Sequence, residues 1–502
     1  LRADTTKTLP ELQTRIADIL RKPELSSGTV GIKVVSLDTG RVLFEENAGK
    51  LLRPASNMKI YTVATALDRL SPDFRFTTSV YATAKPDADG TIHRSANGAG
   101  LTIYGRGDPS IAARFNNGDY FKGIDELAAK IAAVGVKRIE GDLVGDETYF
   151  VGPPFGSGWD WDDLTWYYGA EVSALTINDN SLDLFVKPGS RVGGPAEITT
   201  GPPDPFLTIT NRVTTGAKGA KRELSVYRDL GVNTIEVSGI IALDDPGYTG
   251  EVAISNPAML FLHLLRTALS KRGINVTGSL RVEKASRSEW PSADAEGRRI
   301  SHGQVVALRP NLEIASMQSP PLSVIAAQTL KPSQNLYTEL ILRTLGKQFP
   351  PPLEKDTPTT EYAGIQAVKA FLKEAGLNSE ALVQTDASGL SRNDMVTAEA
   401  SVQLLTFMSK HRYAQIFHDA LPIAGVDGTL RNRFKGTVAE NNLRAKTGSL
   451  SAAASLSGYV TTPAGEHLVF SIMVNNYLPE VNPRSLCIDP IGVLLASYAA
   501  QP

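Results

Sequence analysis

The sequence predicts a mixed α/β (α+β) protein in which an antiparallel sheet flanked by helices is interrupted by a large strand-rich insertion. Three observations carry this expectation. Strand pairs and amphipathic helices occupy both ends of the chain. From about residue 74 to about residue 300 the texture changes to short alternating runs separated by Gly, Pro, Asn and Asp. The length, 502 residues, suggests roughly three domains at ~150 residues each. With 42% hydrophobic and 21% charged residues, the chain has enough apolar side chains for a sizeable core.

The elements follow in order. Leu12, Ile16, Ile19 and Leu20 share one helical face between Pro10 and Pro23. Strand-like runs at Thr29–Leu37 and Arg41–Glu46 flank Asp38-Thr39-Gly40, a hairpin signal. Pro54 precedes a helical stretch, Ser56–Leu70, with Ile60, Val63, Ala64 and Leu67 at i, i+3, i+4 and i+7. In the middle region, Gly100–Gly105, Leu182–Val186 and Ile235–Leu243 read as strands, and Ile124–Val134 and Pro257–Arg272 as helices. The aromatic group Trp159, Trp161, Trp166, Tyr167 and Tyr168 is read as structural core. Helices return at Leu322–Leu330, Leu336–Leu345 and Ile365–Ala375, the last stopped by Gly376. Strands at Ala453–Val460 and His467–Asn475 and a helix around Ile488–Ala499 close the chain. The two terminal hairpins can join into one antiparallel sheet with helices on its faces, leaving the middle third as an insertion.

Composition removes several function classes. Lys and Arg number 51 against 53 Asp and Glu, a net charge of −2. That balance excludes a generally basic nucleic-acid binder. One cysteine, Cys487, allows no intrachain disulfide and no cysteine-based metal centre. None of the histidines 93, 263, 302, 411, 418 and 467 forms an H-E-x-x-H pair, so no histidine-bound metal is expected. No apolar run reaches the ~18 residues that span a bilayer. The sequence opens on Leu1 with no apolar leader, so any signal peptide is expected to have been removed.

Three short motifs carry chemistry. Ser56-Asn57-Met58-Lys59 holds the chain's one Ser-x-x-Lys. At a helix start, i and i+3 lie on one face a turn apart, so hydroxyl and amine can meet. A serine hydroxyl needs a base to become a nucleophile. Lysine can be that base once burial or a second cation lowers its pKa. Alone, a pattern this short is better read as an exposed Ser N-cap and a solvated Lys. Ser333-Gln334-Asn335 offers a second hydroxyl to shuttle a proton and an amide to hold lysine and substrate. Its Ser-x-Asn pattern recurs at Ser95 and Ser391, and a Ser N-cap is the bland alternative. Lys446-Thr447-Gly448-Ser449, at the start of an expected strand, offers a cation and two hydroxyls suited to a carboxylate. Gly448 there leaves room for another backbone to approach. Glu374-Ala375-Gly376-Leu377-Asn378 mimics a deacylating-glutamate motif but reads as a helix end with its glycine cap.

With the three motifs in this order, the chain resembles the class C low-molecular-mass penicillin-binding proteins, the D-alanyl-D-alanine carboxypeptidases/endopeptidases of the DacB-like type. The resemblance includes Arg53-Pro54-Ala55, Ser319-Pro320-Pro321-Leu322, Leu336-Tyr337-Thr338-Glu339, Asp386 to Asn393, and Val426-Asp427-Gly428-Thr429-Leu430. Its most specific mark is the 274 positions between Lys59 and Ser333, where this family carries a long insertion. The resemblance implies a β-lactamase/transpeptidase-like catalytic domain from 1–73 and 300–502. It also implies a first inserted domain from 74–172 and 251–299 and a second from 173–250.

The resemblance further implies acyl transfer without metal or organic cofactor. Ser56 attacks the penultimate D-Ala carbonyl of a peptidoglycan stem peptide, Lys59 takes the proton, and Lys446 is the second cation that depresses the Lys59 pKa. Ser333 protonates the leaving amine and Asn335 orients Lys59 and the substrate. Thr447, Gly448 and Ser449 hold the substrate along the strand. Asp146, Phe150 and Arg392 are expected to approach the diaminopimelate or D-Ala end of the stem peptide, with a plain turn residue as the alternative for Asp146. Gln334, in the middle of its motif, and Ser451 depart from some relatives, and Ser451 puts diaminopimelate preference in doubt. β-Lactams would be covalent inhibitors, no nucleic acid is expected as a partner, and the protein would be exported, periplasmic or otherwise extracytoplasmic. A β-lactamase, or a non-catalytic peptidoglycan-binding protein, are the rival readings.

Overall fold

A computed structural model of the chain describes residues 6–203, 206–285, 292–293, 299–300, 312–352 and 359–499. The two chain ends meet in one five-stranded antiparallel sheet. Its order is Val42–Glu46, Thr29–Ser36, His467–Asn475, Ala453–Thr461 and Arg444–Leu450. Residues far apart in sequence therefore lie side by side, Ile32 opposite Ile472 and Ile472 opposite Leu456, all three fully buried.

Alternation along these strands sends side chains to two cores. Ile32, Leu456, Phe470 and Ile472 pack with Leu12 and Ile16 of the helix Leu9–Leu20 and with Ile491 of the helix Asp489–Ser497. Val469 and Met473 point the other way. There they meet the helices Met58–Leu70, Leu322–Leu330, Asn335–Gln348, Thr360–Glu374 and Ala398–Ser409. The helix Ala398–Ser409 has no counterpart in the sequence reading. Its buried residues Ala398, Ala400, Val402, Leu404, Leu405 and Met408 leave no clean apolar stripe for periodicity to detect.

The insertion is strand-rich, as its texture suggests. One five-stranded sheet runs Leu280–Glu283, Asp142–Asp146, Ala99–Tyr104, Thr77–Ala82 and Leu312–Gln318. Three three-stranded sheets accompany it among the described residues: Ser181–Lys187, Glu197–Gly201 and Tyr248–Ala253; Thr208–Gly216, Glu223–Arg228 and Thr234–Ala242; and the short strands Asn275–Val276, Arg138–Ile139 and Thr91–Ile92. The helices Lys122–Ala133 and Pro257–Lys271 share their apolar core.

Two strand pairings run across the expected borders. Leu312–Gln318, beyond the expected border at 300, pairs antiparallel with Thr77–Ala82 of the insertion. Tyr248–Ala253 pairs with Ser181–Lys187, which carries the second unit past 250. Composition changes only gradually there, whereas strand pairing sets the physical border. His302, with the stretch 301–311, lies outside the described residues.

Because Ile472 lies between the N-terminal and C-terminal strands, Ile472→Ala opens a cavity where the two ends of the chain join. A loss of about 2–5 kcal/mol is expected, read from the midpoint of guanidinium unfolding at unchanged slope.

Candidate active site

The helix Met58–Leu70 begins after a single 3-10 turn, Ala55–Asn57. Ala55 is held at φ +49° and Ser333 at φ +67°. Such left-handed backbone costs about 1–3 kcal/mol at a non-glycine residue and persists where surrounding contacts over-determine it. Ser56 stays partly exposed, while Lys59, one turn on, is completely buried.

The Lys59 amine has three partners. Nζ lies 2.8 Å from Ser56 Oγ, 2.6 Å from Asn335 Oδ1 and 2.8 Å from the Ser388 carbonyl. Two of these are carbonyl oxygens that only accept. A neutral amine has two hydrogens, so giving one to each carbonyl leaves its lone pair facing the Ser56 hydroxyl. The orientation of the Asn335 amide follows from a further contact: its Nδ2 donates 2.8 Å to the Tyr168 carbonyl. That end must be the NH2, so the oxygen faces Lys59.

Burial pulls the Lys59 pKa down to about 7, against the opposing pull of the Asp386, Glu339 and Asp394 carboxyls. Lys446, also fully buried, is lowered well below the usual lysine value by burial and then by repulsion from Lys59. Loss of water is the larger cause on both amines, and the repulsion between Lys59 and Lys446 adds to it.

The second and third motifs meet here. Lys446 Nζ donates to Ser333 Oγ at 2.8 Å and to the Thr447 carbonyl at 2.8 Å. The Thr447 hydroxyl donates to that of Thr429 at 2.8 Å. Lys446-Thr447-Gly448-Ser449 lies inside the strand Arg444–Leu450, not at its start, and this strand is the sheet edge. The Ala445 N–H reaches outward to the Pro422 carbonyl. By two-residue alternation, the Ser449 N–H faces the same open side. Ser449 itself is exposed. A Cβ on Gly448 would stand 2.4 Å from the Pro54 carbonyl and 2.2 Å from Ser455 Oγ. The glycine thus lets the edge strand press against the turn that carries Ser56.

The other expected residues divide. Arg392 keeps exposed surface, and its Nε pairs with the Asp160 carboxylate. It follows the loop residue Gly389, where an added Cβ would lie 1.9 Å from the Ala55 carbonyl. Asp146 and Phe150 are buried. Asp146 is completely buried and its Oδ1 accepts from the backbone and hydroxyl of Thr148, so the turn alternative describes it. Phe150, 7% exposed, packs in a cluster with Tyr104, Tyr149 and Leu336.

The aromatic group read as core is corrected. Trp161 is 68% exposed and Trp159, Trp166, Tyr167 and Tyr168 are half-buried. This segment walls the site, supplying the Tyr168 carbonyl to Asn335 and the Trp159 indole N–H to Asp386 at 2.7 Å. Sequence reasoning missed Ser388 and Tyr168 because both act through backbone carbonyls, which every residue possesses. Among the described residues, Asp160, Asp162 and Asp163 could in principle share a metal ion, but Asp160 is already engaged by Arg392.

Hydroxyl, buried amine, amide, second hydroxyl and second amine thus form one cluster able to activate a serine for acyl transfer. Comparison with known proteins agrees in family and fold. The family model described as "D-Ala-D-Ala carboxypeptidase 3 (S13) family" matches residues 12–497. A D-alanyl-D-alanine carboxypeptidase of Actinomadura sp. (strain R39) is 34% identical over 98% of this chain and 86% of its own length. The crystal structure of penicillin binding protein 4 (dacB) from Haemophilus influenzae superposes with a TM-score of 0.78 at 22% identity, covering 97% of this chain and 99% of that one. The same protein complexed with a β-lactam superposes at 0.71 and 21% identity, over 96% and 98%.

Gly448→Ala forces the edge strand away from the Pro54 carbonyl. It is expected to lower the unfolding free energy by about 1–3 kcal/mol, measured by denaturant titration. An unchanged midpoint would mean the two backbones separate freely.

Proposed function

The chain belongs to the D-Ala-D-Ala carboxypeptidase 3 (S13) family and is a serine D-Ala-D-Ala carboxypeptidase; from that premise we propose that Ser56 is its nucleophile, with Lys59, Ser333, Asn335 and Lys446 as the machinery around it. The observation that carries the assignment is the Lys59 amine, buried and shared between Ser56, Asn335 and Ser388.

In acylation, Ser56 Oγ bonds to the carbonyl carbon of the penultimate D-Ala while its proton passes to neutral Lys59. The oxyanion rests on the backbone N–H groups of Ser56 and Ser449. The C–N bond then breaks, and the departing amine takes a proton through Ser333, which Lys446 orients. In deacylation, water adds to the ester carbonyl, the Ser56–carbon bond breaks and the serine regains its proton. Thr447 and Ser449, with Lys446 behind them, hold the terminal carboxylate. The peptide backbone lies along the open edge of Arg444–Leu450 as an added strand. Arg392, paired with Asp160, is proposed to approach the diaminopimelate or D-Ala end of the substrate.

Free D-Ala and a cross-linked amine are both competent leaving groups in this scheme, so endopeptidase action uses the same residues. β-Lactams enter as covalent inhibitors by opening on Ser56, in keeping with the β-lactam complex of the related Haemophilus protein. No helix among the described residues is long and apolar enough to cross a membrane. The substrate places the protein outside the cytoplasm. The insertion serves as two domains along the expected division, with the borders moved to the strand pairings above.

Two outcomes test the assignment. Ser56→Ala and Lys59→Ala are expected to abolish release of D-Ala from peptidoglycan, read by mass spectrometry of the muropeptides, and Ser56→Ala also abolishes labelling by a fluorescent penicillin. Fast continuous hydrolysis of a chromogenic cephalosporin by the wild type would instead favour a β-lactamase. The second outcome concerns pH. Only the neutral Lys59 amine can take the proton, so acylation rises with pH through the amine's pKa of about 7. Below it the rate falls about tenfold per unit, measured as the labelling rate across buffers.

A further inference from the structure

Asp386 is completely buried behind Lys59 and is one of the most heavily hydrogen-bonded side chains of the site. Its Oδ2 accepts from Ser388 Oγ at 2.7 Å, from the Leu390 and Ser391 backbone at 3.1 and 3.2 Å, and from the Trp159 indole at 2.7 Å. Its Oδ1 accepts from the Gly389 backbone at 2.7 Å. Five donors onto one carboxylate fold residues 386–391 into a tight loop around it. Gly389, at φ +80°, makes the turn and sets the loop against the Ala55 carbonyl. The loop's remaining product is a single carbonyl, that of Ser388, aimed at Lys59 Nζ from 2.8 Å. Four donors are local to the loop, and the fifth, Trp159, belongs to the insertion.

We propose that Asp386 is a positioning residue for acyl transfer: it fixes the Ser388 carbonyl that takes one hydrogen of the Lys59 amine, and Trp159 locks that arrangement from the insertion. The inference rests on Ser56 and Lys59 acting as proposed above. It gives the insertion a direct part in readying the base, in addition to walling the groove.

Electrostatics supplies the readout. The charged or titratable groups around the Lys59 amine are Glu339 on the helix Asn335–Gln348, Asp386 and Asp394 on the loop, and Lys446 on the edge strand. Glu339 and Asp394 are both raised well above the usual carboxyl range, by burial first and then by Asp386 beside them. Glu361, behind Glu339, is likewise raised by burial. Among these carboxyls Asp386, where the donors converge, opposes the loss of the Lys59 proton most strongly. Removing the charge makes Lys59 easier to deprotonate. Removing the Trp159 donor leaves the charge less dispersed and makes deprotonation harder.

The experiment is the pH dependence of acylation by a fluorescent penicillin in wild type, Ser56→Ala, Asp386→Asn and Trp159→Phe, with folding followed by circular dichroism. Asp386→Asn is expected to lower the plateau rate and to move the acid limb down by about one unit or more. Trp159→Phe is expected to move the limb up by a fraction of a unit. If both variants react more slowly with the wild-type limb unmoved, or if the limbs move in the reverse directions, Asp386 is only structural and the proposal is overturned. Should Asp386→Asn not fold, Trp159→Phe decides alone, its upward shift supporting the proposal and an unmoved limb overturning it. Failure of the underlying assignment looks different, since Ser56→Ala would then still be labelled.

Discussion

Two lysine amines without exposed surface stand at the centre of this protein, and the arrangement around them follows from the cost of burying charge. An ammonium removed from water must be paired or must give up its proton. Lys59 has no carboxylate among its hydrogen-bond partners, only a hydroxyl, an amide oxygen and a backbone carbonyl. Lys446 likewise meets a hydroxyl and a carbonyl. Neutral partners stabilise the charged form less than a carboxylate would, so burial prevails: both amines are lowered, and Lys59 exchanges its proton at a pKa of about 7. The buried carboxyls lie one layer further back and limit the fall.

The second constraint is geometric. Five segments converge on a few ångströms: the helix start at Ser56, the turn at Ser333, the loop at Ser388, the edge strand at Lys446 and the insertion at Tyr168. Close approach is bought with unusual backbone. Ala55 and Ser333 hold left-handed conformations, and Asn178, Asp179 and Asn180 hold three in succession where the insertion meets the helix after Asn335. There the Tyr337 hydroxyl donates to the Asp179 carboxylate, which also pairs with Arg114 at 3.0 Å. Strain of this kind survives only where packing over-determines it. The insertion is thereby tied to the same helix that presents Asn335 to Lys59.

An open sheet edge is usually a liability, because unpaired N–H and C=O groups invite another strand. Here the open edge lies beside Ser56, the proposed nucleophile. The residues that leave it accessible, Gly448 above all, also hold it against the turn at Pro54. A peptide that adds to this edge is brought alongside Ser56 by the ladder of main-chain hydrogen bonds, largely independent of its side chains.

The sequence by itself determined the mixed α/β class, the joining of the two terminal hairpins and the three motifs that meet in the site. These are local signals: alternation, helical period, and a hydroxyl and an amine one turn apart. It did not determine the roles of Ser388 and Tyr168, which act through carbonyls common to all residues, nor the border at Leu312–Gln318, which exists only as a pairing with Thr77–Ala82. It misplaced the segment from Trp159 to Tyr168 in the core, and it could not tell that Asp146 and Phe150 are buried. Residue type alone cannot say whether an aspartate turns a chain or faces a ligand, or whether a tryptophan fills an interior or lines a wall. Those outcomes depend on which distant segment packs against each side chain, and only the tertiary structure, by excluding water from some and leaving it to others, decided them.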